Sequence, residues 1–99
     1  MLNIYSKLDG TKLTLVLDGE LNTNTAPDFE KEINSSIEGL TDLVLDFGRL
    51  EYISSAGLRV LLYTQQVMEK QGTLTVRGVN ESIRKILDTT GFTEYLNIE

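Results

Sequence analysis

From Leu43 to Leu58 the sequence reads LVLDFGRLEYISSAGL. The run Leu43–Phe47 is short and almost continuously apolar, which is typical of a strand covered on both faces. A loop is expected after this strand, and residues 56–71 predict a helix that ends at Gly72. The stretch therefore predicts a strand, a loop and a crossover helix, which together are the repeating unit of a parallel sheet.

The alternation of strands and helices continues on both sides of this stretch. Residues 2–8 and 12–18 alternate apolar and polar side chains around the turn dipeptide Asp9-Gly10, which predicts an antiparallel hairpin. A strand at residues 73–76 and a helix capped by Asn80 follow. An apolar tail is expected to pack onto the core through Phe92, Tyr95, Leu96 and Ile98.

The first helix has a clear start signal in the sequence. Thr25 is the expected N-cap, Pro27 lies in the first turn, and Asp28 is the expected capping-box partner. Together these elements predict an α/β fold. It has a mixed sheet of about four strands, an N-terminal antiparallel hairpin followed by parallel strands, packed with three to four helices in a single domain of residues 1–99.

The composition excludes several classes of chemistry. The chain has no cysteine and no histidine, so it offers no thiolate nucleophile, no zinc–thiolate site and no imidazole base. Its net charge of −6 disfavours binding to nucleic acid or to anionic lipid. No stretch predicts a membrane span or a signal peptide, and no sequence motif for a cofactor is present. We therefore expect a cytoplasmic protein that needs no cofactor or metal and does not insert into membranes.

Two adjacent hydroxyls, Ser54 and Ser55, are expected at the N-terminus of the central helix. Serine is common there because its oxygen accepts a hydrogen bond from a free backbone N–H, so helix capping is the simplest interpretation. The position also favours a regulatory role, since open α/β sheets place partner sites at the carboxyl ends of their strands. A phosphate at a helix N-terminus would be tolerated by the helix dipole. Gly57 is expected to let the helix approach the sheet closely.

The periodicity of the central helix predicts two faces. The buried face is expected to comprise Leu58, Leu61, Leu62 and Met68. The opposite face forms a ridge, which we call the α2 ridge, of Arg59, Tyr63, Gln66 and Lys70. A solvated face is the simpler interpretation of this ridge. A docking surface is the alternative, because Tyr and Arg are favoured at interfaces.

Three segments of the sequence resemble the STAS-domain anti-sigma factor antagonists, and the resemblance covers essentially the whole chain. The central one is Tyr52-Ile53-Ser54-Ser55-Ala56-Gly57-Leu58. The second comprises Gly19-Glu20-Leu21-Asn22 with Thr25-Ala26-Pro27, and the third is Ile86-Leu87-Asp88-Thr89-Thr90-Gly91-Phe92. The family pattern in the central segment is Asp-Ser-Ser/Thr-Gly-Leu, so Ser54 stands at the family's aspartate and Ala56 at its second hydroxyl.

The resemblance implies a partner-switching cycle. The unphosphorylated protein would bind an anti-sigma factor that is also a serine kinase, and a serine phosphatase would reset the cycle. Ser55 aligns with the phosphorylated serine, with Ser54 as the second choice. The implied partner-binding residues are Ser54, Ser55, Gly57, Arg59, Tyr63, Asn22 and Thr23. The oligomeric state is left open between a monomer and a weak dimer.

Two other interpretations stay open from the sequence. Asp46 at the predicted end of a buried strand would suit a phospho-aspartate receiver, but a suitable lysine is missing, since Lys85 falls within a helix. A STAS module without a switch would share the fold and act as a structural or ligand-binding subunit of a transporter or sensory complex. An enzyme is the least favoured class, because the chain has no base that titrates near neutral pH.

Overall fold

The computed structural model describes residues Met1 to Glu99. In chain order its elements are β1 (Leu2–Asp9), β2 (Lys12–Leu21), α1 (Ala26–Ser36), β3 (Asp42–Ile53), α2 (Ser55–Gln71), β4 (Thr73–Arg77), α3 (Glu81–Thr89), a 3₁₀ turn (Phe92–Glu94) and β5 (Asn97–Ile98). The predicted α/β class, with a hairpin followed by parallel strands, is confirmed. The sheet has five strands rather than about four, because the tail adds β5 parallel to β4.

The five strands follow one another across the sheet in the order β1-β2-β3-β4-β5. Right-handed crossovers between parallel strands in this order place every helix on the same face. In agreement, the inward-facing residues of all three helices and of the strands form one connected core. The other face of β3 lies away from the helices, but Val44 on that face is still only 8% exposed. Val44 lies outside that core, on the open face of the sheet, where it is flanked by Thr14 and Thr75 of the neighbouring strands.

The central strand β3 is longer than its sequence indicates. It was expected to end near Phe47, but it continues to Ile53 alongside β2. The pairing shifts twice, and at each shift β3 carries one residue more than β2. Each such bulge reverses the side-chain alternation, so Phe47, Leu50 and Ile53 all face the core although they are three residues apart. Core residues at a spacing of three do not fit the alternation of a regular strand, and they are not typical of a loop. The sequence therefore does not indicate that β3 continues beyond Phe47.

The start of α1 differs from the predicted capping box. Thr25 is the N-cap residue, but its side chain does not cap the helix and receives no bond from Asp28. Its hydroxyl donates to the Glu20 carbonyl at 2.7 Å and accepts from the Asn22 N–H at 2.8 Å. Thr25 thus stabilises the loop between β2 and α1 and does not cap the helix with its side chain.

The C-terminal part packs largely as expected. Asn80 caps α3 by accepting from the Ile83 N–H at 2.8 Å, and its amide donates to the Leu50 carbonyl at 2.9 Å. Leu96 is buried, whereas Tyr95 is exposed and makes no core contact, contrary to expectation. None of the helices is both long enough and apolar enough to cross a membrane.

Candidate functional site

The serine pair lies where two parallel strands end together. The Ser54 N–H donates to the Leu21 carbonyl at 2.8 Å, so the last residue of β2 holds the start of α2 in place. The loop between β2 and α1, residues 22–25, therefore lies beside the N-terminus of α2. This is the edge at which open α/β sheets place their partner and ligand sites.

The two serines have different environments. Ser54 is only 9% exposed, and its hydroxyl accepts from the Gly57 N–H at 3.3 Å as the N-cap of α2. Ser55 is the first residue of the helix and is exposed. The N–H groups of Ser55 and Ala56 find no acceptor in the protein, as is usual in the first turn of a helix. The pair thus divides into one capping serine and one accessible serine.

Gly57 lies at the closest contact between α2 and the sheet. A Cβ atom at this position would lie 2.7 Å from Leu21 Cγ and 3.1 Å from Ile53 Cγ1. Leu21 and Ile53 are themselves buried, so neither has free space to move into. Gly57 was expected among the partner-binding residues, but it is buried and acts by allowing the close approach of helix and sheet.

A shallow cavity of about 150 Å³ lies between the N-terminal halves of α1 and α2, and we call it the α1/α2 groove. Its walls include Thr23 of the loop, Pro27 and Glu30 of α1, and Ala56 and Arg59 of α2. Ser55 is not among the lining residues, but it lies one helical turn before Arg59, which lines the groove. The groove carries one basic and one acidic side chain on opposite walls.

The α2 ridge is exposed along its whole length, as predicted from the helical wheel. Arg59 follows Ser55 by one turn, and Tyr63 follows by two. Leu62 was expected in the core but is 40% exposed, and the buried face consists instead of Gly57, Val60, Leu61, Thr64 and Met68. The exposed face of α2 near Ser55 therefore carries apolar as well as basic surface.

Asn22 and Thr23 contribute to the site in different ways. Asn22 Oδ1 accepts from the N–H groups of Asn24 and Thr25, at 2.9 and 3.0 Å, and so fixes the shape of the loop. Thr23 is exposed and lines the α1/α2 groove. Of the predicted site residues, the structure brings Thr23 and Arg59 together in the groove, with Ser55 one helical turn before Arg59 and Tyr63 one turn beyond it.

The sequence analysis missed the contribution of α1 to this site. Pro27 and Glu30 line the groove, and their spacing of three residues on the polar side of α1 was the available signal. Asp46 does not lie at the end of a strand, as the alternative of a phospho-aspartate receiver would require, because β3 continues to Ile53. Its carboxylate accepts from the Gly48 N–H at 2.9 Å and pairs with Arg77 Nε at 3.3 Å.

Consecutive parallel strands under one layer of helices, with a serine-capped helix at their carboxyl edge, define a small two-layer α/β domain. The chain belongs to the STAS domain family, which it matches over residues 4–99. A Bordetella bronchiseptica protein described as a candidate anti-sigma factor antagonist, BtrV, is 40% identical over 88 residues, which span 87% of this chain and 75% of that protein. The family assignment made from the sequence motifs is thereby confirmed.

Solved structures share the fold at low sequence identity. A crystal structure of a candidate anti-sigma factor antagonist from Thermotoga maritima superposes with a TM-score of 0.89 at 21% identity, over 96% of this chain and 84% of that one. The phosphorylated form of the Bacillus cell fate determinant SpoIIAA superposes with a TM-score of 0.76 at 18% identity, over 100% of this chain and 91% of that one. These similarities extend the fold of anti-sigma factor antagonists to this chain.

Proposed function

We propose that this chain binds, in its unphosphorylated form, an anti-sigma factor with serine-kinase activity, and so regulates transcription indirectly in the cytoplasm. Phosphorylation of Ser55 ends the complex, and a serine phosphatase restores the binding form. The protein acts by binding rather than by catalysis, as a single domain of residues 1–99. Membership of the anti-sigma factor antagonist family supports this proposal.

The accessibility of Ser55 carries the assignment of the phosphorylation site. A kinase needs the acceptor hydroxyl in its own active site, and the Ser55 side chain is exposed at the end of a helix. The Ser54 hydroxyl is buried and engaged with the Gly57 N–H. Phosphate on Ser54 would have to fit at a position that is only 9% exposed, whereas phosphate on Ser55 leaves the bond between Ser54 and Gly57 unchanged.

The chemistry of the switch follows from the charge that it adds. The Ser55 oxygen bonds to the γ-phosphorus of ATP as the bond to ADP breaks, and the hydroxyl proton leaves to the kinase or to solvent. The phosphoserine carries about 1.5 to 2 negative charges at neutral pH. The first turn of α2 contains no acidic residue, so the free N–H groups there accept this charge without repulsion. The domain therefore stays folded while its surface changes sign locally.

The partner is expected to dock on the α1/α2 groove and the α2 ridge. Ser55 lies one helical turn before Arg59, which belongs to both surfaces, so a phosphate on Ser55 is expected to fall within the contact. Arg59 and Tyr63 are of the residue types that most often anchor interfaces. Thr23, in the loop that Asn22 shapes, lines the wall of the α1/α2 groove opposite α2. A charge buried in such a contact without a counter-charge weakens it strongly.

The test uses the purified protein, an anti-sigma factor with serine-kinase activity from the same organism, and ATP. Wild type and the Ser54→Ala variant are expected to gain one phosphate, mapped by mass spectrometry to Ser55. The Ser55→Ala variant is expected to gain none while still binding the kinase. Ser35→Ala serves as the matched control, because Ser35 is an exposed helical serine outside the site.

Two outcomes would contradict the proposal in different ways. Phosphate on Ser54 in the wild type would overturn the assignment of the acceptor but keep the switch. Binding that is unchanged by phosphorylation would overturn the switch itself. Co-purification with a transporter or sensory subunit, without any phosphorylation, would favour a STAS module that serves as a structural or ligand-binding subunit.

A further inference from the structure

The first strand of the sheet has one unpaired edge. β1 spans eight residues, Leu2–Asp9, and pairs only with β2, whereas the opposite edge of the sheet is the two-residue strand β5. Asp9 and Lys12 face each other across a two-residue turn, which makes them a hydrogen-bonded pair. Odd-numbered residues of β1 therefore direct their backbone groups to β2, in agreement with the bond from the Glu20 N–H to the Met1 carbonyl. The even-numbered residues direct theirs outward.

This edge is unusually long and apolar for one left open. The outward N–H and C=O groups belong to Leu2, Ile4, Ser6 and Leu8. Two large apolar side chains of the strand are exposed, Tyr5 at 53% and Leu8 at 65%. Sheet proteins usually protect such edges with charges, prolines or short strands, and β1 carries only Lys7 and, as its last residue, Asp9.

We propose that β1 pairs antiparallel with β1 of a second copy of this chain, forming a continuous ten-stranded sheet across a two-fold axis at Tyr5. In this register Leu2 faces Leu8 of the other copy, and Asn3 faces Lys7. Ile4 faces Ser6, and the two Tyr5 side chains face each other. The proposal does not depend on the proposed serine switch, because none of the paired β1 residues lines the α1/α2 groove or belongs to the α2 ridge.

The β1 strand is complementary to a second copy of itself in this register, which is why we choose this partner and this pairing. All the outward backbone groups of Leu2–Asp9 find partners, and no two like charges are opposed, since Lys7 meets an amide. Leu8 gains an apolar neighbour on the helix side, and Tyr5 gains an aromatic neighbour on the open side. A two-fold axis perpendicular to the sheet keeps both helical layers on the same side, so the layers continue into one another.

The contact is small, because it is made by one strand from each copy. Interfaces below about 1,200 Å² in total are generally weak and transient. The dimer is therefore expected to depend on concentration and to dissociate on dilution. Sedimentation velocity over a dilution series measures this equilibrium directly on the full chain.

The decisive variant is Ser6→Pro. Ser6 directs its N–H away from β2, so proline removes one outward donor from each copy and leaves the β1–β2 ladder whole. The dimer dissociation constant is expected to rise at least about tenfold, because two hydrogen bonds are lost across the axis. Ser6→Ala, which keeps the N–H, is expected to stay within about twofold of wild type. Equal dimerisation of Ser6→Pro and wild type, or a wild type that stays monomeric at millimolar concentration, would overturn the proposal.

Cysteine cross-linking tests the register, and the chain contains no cysteine of its own. In the Tyr5→Cys variant the two thiols face each other in a non-hydrogen-bonded pair with Cα atoms about 4.5 Å apart, within disulfide range. Lys7→Cys is the matched control, because its two copies lie four residues, or about 13 Å, apart along the strands. Tyr5→Cys is expected to cross-link under mild oxidation and Lys7→Cys alone is not. A mixture of Asn3→Cys and Lys7→Cys is expected to form mixed dimers. Cross-linking of Lys7→Cys alone at the rate of Tyr5→Cys would refute this pairing.

Discussion

The close contact between α2 and the sheet at Gly57 gives a sharp test of the fold. Replacing Gly57 with alanine introduces a methyl group 2.7 Å from Leu21 Cγ and 2.9 Å from Leu21 Cδ2. Overpacking of this kind costs about 1–3 kcal/mol. Alanine also favours the helix over glycine by about 1 kcal/mol, which offsets part of that cost. The expected net change is a loss of about 1 kcal/mol in the free energy of unfolding.

The assay is urea unfolding followed by far-ultraviolet circular dichroism, with a thermal scan in parallel. A loss of about 1 kcal/mol lowers the melting temperature by about 4–8 °C in a protein of this size. Gln66→Ala is the control for a helix substitution that meets no neighbour, because Gln66 is exposed on α2. It is expected to change the free energy of unfolding by less than about 0.5 kcal/mol.

A double-mutant cycle with Leu21→Ala isolates the contact itself. Leu21→Ala alone leaves a cavity at a fully buried position and is expected to cost about 2–5 kcal/mol. In that background the methyl group of Gly57→Ala enters empty space, so the substitution is expected to become neutral or stabilising, with a coupling energy of about 1 kcal/mol or more. A stabilising Gly57→Ala in the wild-type background, or strictly additive effects in the cycle, would refute the close approach.

Three further predictions concern the site and the adjoining elements. Ser55→Asp is expected to change the free energy of unfolding by less than about 1 kcal/mol, because the helix dipole accepts the charge, yet to weaken partner binding at least about tenfold in calorimetric titration. Arg59→Ala and Tyr63→Ala are expected to lower the affinity for the same partner. Tyr95→Ala truncates an exposed tyrosine outside the site and is expected to leave this affinity unchanged. Equal losses of affinity in Tyr63→Ala and Tyr95→Ala would argue against docking on the α2 ridge. Asn80→Ala removes both the cap of α3 and the bond to β3, so urea unfolding is expected to show a loss of about 1–3 kcal/mol, and an unchanged midpoint would contradict this role.

The features predicted correctly are those specified by neighbouring residues. The β1–β2 hairpin depends on alternation and on the turn at Gly10, and the cap at Asn80 depends on a bond to a residue three positions away. Such signals are contained within a few residues of sequence. The extension of β3 to Ile53 depends instead on its pairing with β2, more than thirty residues earlier, and on two bulges that no local pattern marks.

The same distinction applies to the site. Sequence alone places both serines at the start of α2, but it does not decide which one caps the helix, because either residue type suits the position. The decision depends on the Ser54 N–H, which is held by the Leu21 carbonyl at the end of another strand. The opposite wall of the groove, at Glu30, arises from the packing of α1 against α2, and the spacing of Pro27 and Glu30 on α1 does not by itself show that they face α2.

The geometry around the serine pair also limits how phosphorylation of Ser55 can affect partner binding. Ser54 caps α2, and Gly57 holds the same turn against Leu21, so the backbone beneath Ser55 is fixed from both sides. A phosphate on Ser55 therefore has no mobile segment to displace in its immediate surroundings. Under the proposed switch, the signal is carried by a change of charge on a rigid surface rather than by a change of fold. The phosphorylated protein should accordingly show chemical-shift changes confined to the groove, the loop at residues 22–25 and the first turns of α2, and widespread changes across the sheet would refute this mechanism.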